Sequence, residues 1–251
     1  MNVVVFGHRG QQPVVLKVIP RDSDERFSGP VLEAFEGRGI VRVLAHGDGA
    51  LLLERLVPGR SLANEQIPDD EATAIIAEVI GRMSPGPAPS VVPIVESWGK
   101  AFERYNANGA GPIPASLVEA ACTTYAALCA SQGTARLLHG DLHHHNVLFD
   151  SQRGWLAVDP KGVVGELAYE VGAALRNPID RPDLFAAPET IRKRADCFAR
   201  ILGLDRERIL AWAFAQAVLA TIWEWEDDGV LTAGTGWIAF ANAVRSMLRW
   251  R

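Results

Sequence analysis

The chain is expected to be an α+β protein of two lobes, a small β-rich one followed by a larger helical one. Three observations point to this class. Residues 1–57 carry short β-branched runs punctuated by turn residues, whereas 69–130 and 166–251 space their apolar residues for helices. An island of short strands between 137 and 158 interrupts the helical part. The expected division is therefore 1–57 and 58–251.

Bulk properties bound the function. With 251 residues, 48% hydrophobic and 22% charged, the chain can bury a sizeable core and is not a disordered type. A formal net charge of -5 lacks the basic excess a nucleic-acid surface needs. The first ten residues show no basic segment followed by an apolar block, and the apolar stretch 211–223 is too short to span a bilayer. A cytoplasmic protein with no membrane or nucleic-acid partner and no obligate protein partner is expected. Cys122, Cys129 and Cys197 are odd in number and lack metal-ligand spacing. They read as small hydrophobes in a reducing compartment, with Cys122 and Cys129 on one helical face.

In order along the chain, residues 3–6 and 14–19 form a hairpin around a Gly/Gln/Pro turn at 8–13. Residues 23–36 are a helix that Gly29 and Pro30 should interrupt. Strands follow at 40–44 and 50–56, and Val57, Pro58 and Gly59 break the pattern. Helix 69–83 buries Ile75, Ile76, Val79 and Ile80 on one face, and the Pro-rich 84–93 is a loop. Helices 95–105 and 115–130 lead to strands at 137–138, 147–149 and 155–158, the last two joined by a turn at Arg153 and Gly154. Helices 166–176, 188–202, 206–226 and 233–251 complete the chain.

The chemistry concentrates between His139 and Asp159. Asp141 and Asn146 lie five apart just before a strand, and Asp159 ends the next one. Phosphoryl transfer needs an oriented hydroxyl and metal ions that neutralise phosphate charge. One carboxylate to accept or orient the hydroxyl, one amide oxygen and a second carboxylate for Mg²⁺ would supply that, and Asp141, Asn146 and Asp159 come in that order. The alternative treats Asp141 and Asn146 as turn or capping residues. His139, His143, His144 and His145 raise a zinc reading, which would make the protein a hydrolase. Adjacent loop histidines point in different directions, however, and no Cys or distant His completes a tetrahedron.

The string His139, Gly140, Asp141, four residues, Asn146, then a strand-end Asp159 resembles the catalytic and metal-binding loops of aminoglycoside phosphotransferases, which share the protein-kinase fold. Gly154 to Gly162, with Asp159-Pro160 in place of Asp-Phe-Gly, is similar to the streptomycin 6-phosphotransferase and hydroxyurea-kinase branch. Gly165 to Tyr169 and Leu175 to Pro178 have counterparts there, and the likeness runs loosely from about 14 to 228. The resemblance implies an ATP- and Mg²⁺-dependent kinase with Asp141 as base or hydroxyl-orienting residue and Asn146 and Asp159 as metal ligands. It implies Lys17 on the α- and β-phosphates, with Glu25, rather than Glu33, as its acidic partner. It also implies a hinge at 51–56 where the backbone of Glu54 to Leu56 holds adenine.

The family opens with two strands enclosing a Gly-rich, phosphate-covering loop, but only sixteen residues precede Lys17 here. The first strand and lid are therefore expected to be missing, and the alternative function is a lid-less, non-catalytic binding or regulatory protein. Glu170 stands where relatives often carry Asp. The acceptor is expected to be a small cationic molecule such as streptomycin, met by Glu224, Glu226 or Asp227 at the acidic end of a long helix; Trp223 is expected in the core and Trp225 in a pocket wall.

Overall fold

A computed structural model describes residues 2–20, 23–47, 49–109 and 111–248, with the side chain of Asp24 left aside. The chain falls into two compact units, residues 1–92 with 136–164 and residues 93–135 with 165–251.

The first unit holds the strands. Strands β1 (Val3–Arg9), β2 (Gln12–Val18), β3 (Val43–Gly47) and β4 (Ala50–Glu54) form an antiparallel sheet in the order β1-β2-β4-β3. Gly10, at φ +62°, makes the tight β1–β2 turn, with Arg9 opposite Gln12. Edge strand β1 leaves Val3, Val4, Val5 and Phe6 exposed, and the Arg55 guanidinium lies 4.7 Å over the Phe6 ring. Beyond β2 a 3-10 turn (Asp24–Phe27) runs into helix α1 (Ser28–Phe35), which buries Val31, Leu32 and Phe35. Gly29 and Pro30 were expected to interrupt this helix. They sit in its first turn instead, where proline's missing N–H breaks no intrahelical bond. The strand expected at 40–44 begins at Val43, and Ile40 makes only an isolated bridge to Ala157.

Strand β5 (Pro58–Ser61) follows a cis Val57–Pro58 bond, in a stretch where Val57, Pro58 and Gly59 predict a break. Helix α2 (Asp69–Arg82) opens with Asp69, Asp70 and Glu71, favourable at a helix N-terminus, and buries Ile76, Val79 and Ile80. Strands β6 (Arg136–Leu138), β7 (Val147–Asp150), β8 (Gly154–Ala157) and β9 (Val163–Gly165) complete this part. Here β5, β7 and β8 make one sheet, and β6 pairs with β9. In the β7–β8 hairpin Val147 stands opposite Ala157.

The second unit is helical: α3 (Val95–Trp98), α4 (Lys100–Ala107), α5 (Ala115–Ala130), α6 (Leu167–Leu175), α7 (Pro182–Phe185), α8 (Pro188–Leu202), α9 (Arg206–Asp228) and α10 (Gly234–Arg245). The helix expected at 95–105 breaks at Gly99, packed against the Tyr125 ring. Helix α9 is the centre. Its residues 212–222 are buried without a polar stripe, and α5, α6 and α10 pack around it. Glu166 fastens it by accepting from Gly133 N–H at 3.1 Å and from Arg208 Nε at 2.5 Å, and from the Trp212 indole. Cys122, Cys129 and Cys197 are half-buried, and burial raises the Cys129 thiol to about 12. Among the described residues no helix is long and apolar enough to cross a membrane.

Candidate active site

Asp141 and Asn146 lie on the loop between β6 and β7, and Asp159 follows β8. The hairpin register decides their placement. Val147 faces Ala157, so Asn146 comes opposite Val158, whose N–H donates to the Asn146 carbonyl at 2.9 Å. Asp159 is the next residue. The Asn146 amide Nδ2 donates back to the Asp141 carbonyl at 2.9 Å, which leaves Oδ1 as an acceptor with no donor among the described residues.

His139 ties the two loops together. Its Nε2–H donates to the Val158 carbonyl at 2.7 Å, and Nδ1 accepts from the Asp141 N–H at 3.3 Å. These two bonds require the neutral ring with its proton on Nε2. Burial holds the His139 pKa below the ordinary histidine value, outweighing the Val158 carbonyl and the Asp141 and Asp159 charges. Asp159 itself adopts φ +58°, a left-handed conformation that costs a non-glycine residue of order 1–3 kcal/mol. The following turn is anchored where Ser28 Oγ–H donates to the Pro160 carbonyl at 2.6 Å and Gly162 N–H donates to the His139 carbonyl at 2.9 Å.

Lys17 projects from β2 into this group. Its Nζ pairs with Asp159 Oδ1 at 2.9 Å and makes a short ion pair with Glu25 on the 3-10 turn. Although only 4% of its side chain is exposed, its pKa lies above the usual lysine value. Burial pulls it down, and the Asp159 and Glu25 carboxylates more than offset that. Of the two acids weighed as its partner, Glu25 makes the contact, while Glu33 faces His46 Nε2 at 3.1 Å. Ser23, which caps the 3-10 turn through Glu25 N–H at 3.2 Å, holds Glu25 in place.

At the end of β4 the Glu54 carboxylate accepts from Arg42 N–H at 2.8 Å and pairs with Arg153, and Glu54 N–H donates to the Arg42 carbonyl at 3.0 Å. Arg55 N–H donates to the Pro13 carbonyl at 3.2 Å. Buried Leu56 is different: among the described residues nothing bonds its N–H or carbonyl. It is the position in this stretch with its backbone polar groups available to a ligand.

The acidic end of α9 lies in the second unit. Glu224 accepts the N–H groups of Thr232, Ala233 and Gly234 at 3.2, 2.8 and 2.6 Å, so its carboxylate caps α10. Glu226 takes a bidentate ion pair from Arg104 at 3.1 and 2.7 Å. Asp227 is exposed. Trp223 stacks edge-on against Trp98, centroids 5.6 Å apart, and Trp223 and Trp225 are both half-buried. Of the consecutive histidines, His144 is buried, while the His143 and His145 rings stand at 74° to one another and His143 Nδ1 accepts from His145 N–H. Their rings thus diverge.

A β-rich unit with a buried lysine–glutamate pair, and a hairpin joining a loop Asp, an Asn and a strand-end Asp, define a protein-kinase-like small-molecule phosphotransferase. Comparison with solved structures agrees on the fold: a choline/ethanolamine kinase family protein from Mesorhizobium loti matches with TM-score 0.67 at 12% identity, over 98% of this chain and 87% of that one. The chain belongs to the aminoglycoside/hydroxyurea antibiotic resistance kinase family, whose model matches residues 2–229. It is 35% identical over 226 residues to streptomycin 3″-kinase of Klebsiella pneumoniae, covering 86% of this chain and 81% of that protein. It is 33% identical over 220 residues to streptomycin 6-kinase of Streptomyces griseus, covering 85% and 71% respectively.

Proposed function

We propose that the protein moves the γ-phosphate of ATP, with Mg²⁺, onto a hydroxyl of a small cationic molecule of the aminoglycoside type, streptomycin being the first candidate. One observation carries this reading: the β7–β8 register sets Asn146 beside the residue before Asp159, and Lys17 meets Asp159 at 2.9 Å.

Asn146 Oδ1 and the Asp159 carboxylate, 42% exposed, are oxygen donors of the kind a hard divalent cation takes, so the residues fit Mg²⁺. Bound there, the ion would neutralise phosphate charge. Lys17, kept cationic by Glu25 and Asp159, is assigned to the α- and β-phosphates, and the Leu56 backbone, next to Glu54, to adenine. Asp141 orients the acceptor hydroxyl and takes its proton. The acceptor oxygen bonds to the γ-phosphorus as the bond from that phosphorus to the β,γ-bridging oxygen breaks, and ADP leaves without a phosphoenzyme.

On this reading nucleotide recognition falls to residues 1–57 and the catalytic loops and acceptor site to 58–251. At the acceptor, exposed Asp227 offers charge to a cation, with Glu226, paired with Arg104, and Glu224, through α10, supporting it. The protein is assigned to the cytoplasm, acting without nucleic acid, membrane or obligate protein partner. The relatives carry names for different positions, 3″ and 6, and the names support streptomycin without choosing between its hydroxyls.

Asp141→Ala provides the test. Transfer of phosphate to streptomycin should fall by a factor of about 10² or more while nucleotide affinity stays within about twofold. Turnover at the wild-type rate would remove Asp141 from the mechanism.

A further inference from the structure

The scheme above leaves one charged side chain of the Asp159 turn unused. Lys161 Nζ lies 3.4 Å from Asp141 Oδ2, with 28% of the lysine and 23% of the aspartate side chain exposed. The backbone is fixed on both sides of it. Ser28 Oγ holds the Pro160 carbonyl, and Gly162 N–H is bound to the His139 carbonyl. Gly162, at φ +81°, presses so closely on Val31 that a Cβ there would collide with that side chain. A part-exposed lysine–carboxylate pair contributes little to stability, so fold stability does not account for an ammonium held beside the carboxylate that orients the acceptor.

We propose that Lys161 contacts the transferring γ-phosphoryl group, making it a further catalytic residue; the inference rests on the phosphotransferase reading. An oriented hydroxyl lies about 3 Å from its carboxylate, and its oxygen about 3–3.5 Å from the phosphorus it attacks. The phosphoryl oxygens then come within reach of an ammonium that sits 3.4 Å from the same carboxylate on a flexible four-carbon stem. Negative charge spreads over those oxygens during transfer, and a cation already in place stabilises it. The two lysines divide the triphosphate. Lys17, bound to Glu25 and Asp159, serves the phosphates that stay with ADP, and Lys161 serves the one that leaves.

Calorimetric titration of wild type, Lys161→Met and Lys161→Arg with ADP and with a non-hydrolysable ATP analogue, at fixed Mg²⁺, separates the possibilities. Lys161→Met should weaken the triphosphate analogue about tenfold and leave ADP within about twofold, the retained ADP affinity reporting a folded protein. With streptomycin as acceptor its kcat should drop by about 10²-fold. Lys161→Arg should recover most of the preference for triphosphate. If Lys161→Met weakens both nucleotides equally, or neither, Lys161 is only a tether for Asp141 and the inference fails alone. If wild type binds neither nucleotide, the phosphotransferase reading fails and takes this inference with it.

Discussion

At the scale of single residues, His139 shows how one buried ring fixes two loops. Its bonds to the Val158 carbonyl and the Asp141 N–H are satisfied together only by the neutral form, and burial keeps its pKa low. The unfolded chain, by contrast, protonates this histidine near the ordinary value of about 6.5. Below that pH the unfolded state binds a proton the folded state refuses, so the contribution is intact above about 6.5 and is lost as pH falls. Urea denaturation at pH 7 and pH 5 should show wild type losing more stability than His139→Gln, whose amide adds no titration. Equal losses would mean that His139 carries no buried neutral-state penalty.

The same scale shows which residues of the proposed site a sequence can reveal. Asp141, Asn146 and Asp159 are legible because their spacing is linear and the hairpin between them is short. Glu25 is harder, since Glu33 sits in the more regular helical stretch; the choice turns on the 3-10 turn capped by Ser23, which places Glu25 against Lys17. Lys161 gave no distinct signal, because a lysine after a proline reads like any solvated side chain. The acidic run at 224–227 is legible only in part. Sequence shows the charge of Glu224, while its hydrogen bonds to the α10 N-terminus depend on a turn that packing creates.

At the scale of elements, the long amphipathic helices are legible from periodicity, and the β1–β2 hairpin and strands β6, β7 and β8 from apolar runs beside turn residues, whereas three short pieces are not. Strands β5 and β9 and helix α7 span only three or four residues, too few for a period to register. β5 also begins at Pro58, a residue that normally marks a break. The division of helix 95–105 at Gly99 depends on the approach of Tyr125, a contact distant in sequence.

The Asp159 turn carries the sharpest prediction about an element. Gly162→Ala adds a methyl against Val31 at a positive φ, so it should cost about 1–3 kcal/mol. Measured against Val31→Ala alone, whose truncated side chain relieves the collision, Gly162→Ala should cost only the backbone share of about 1 kcal/mol. Thermal or urea unfolding of the single and double variants checks this. A Gly162→Ala protein as stable as wild type would mean that the turn is not pinned as described.

At the scale of the whole molecule, the division at 57 follows a change of composition, whereas compactness groups residues 1–92 with 136–164. The second criterion gathers Lys17, Glu25, Glu54, Leu56, Asp141, Asn146, Asp159 and Lys161 into one unit, and the acidic end of α9 belongs to the other. The proposed chemistry therefore depends on the internal order of the first unit, set by the β7–β8 register and the His139 bridge.

The most direct test of that chemistry follows the labelled phosphorus of [γ-³²P]ATP into streptomycin, with wild type and Asp159→Ala, each with and without Mg²⁺. Wild type should label the acceptor only when Mg²⁺ is present, and Asp159→Ala should fall by about 10²-fold or more. Label reaching streptomycin at the wild-type rate from Asp159→Ala, or without any divalent ion, would contradict the assignment of this centre.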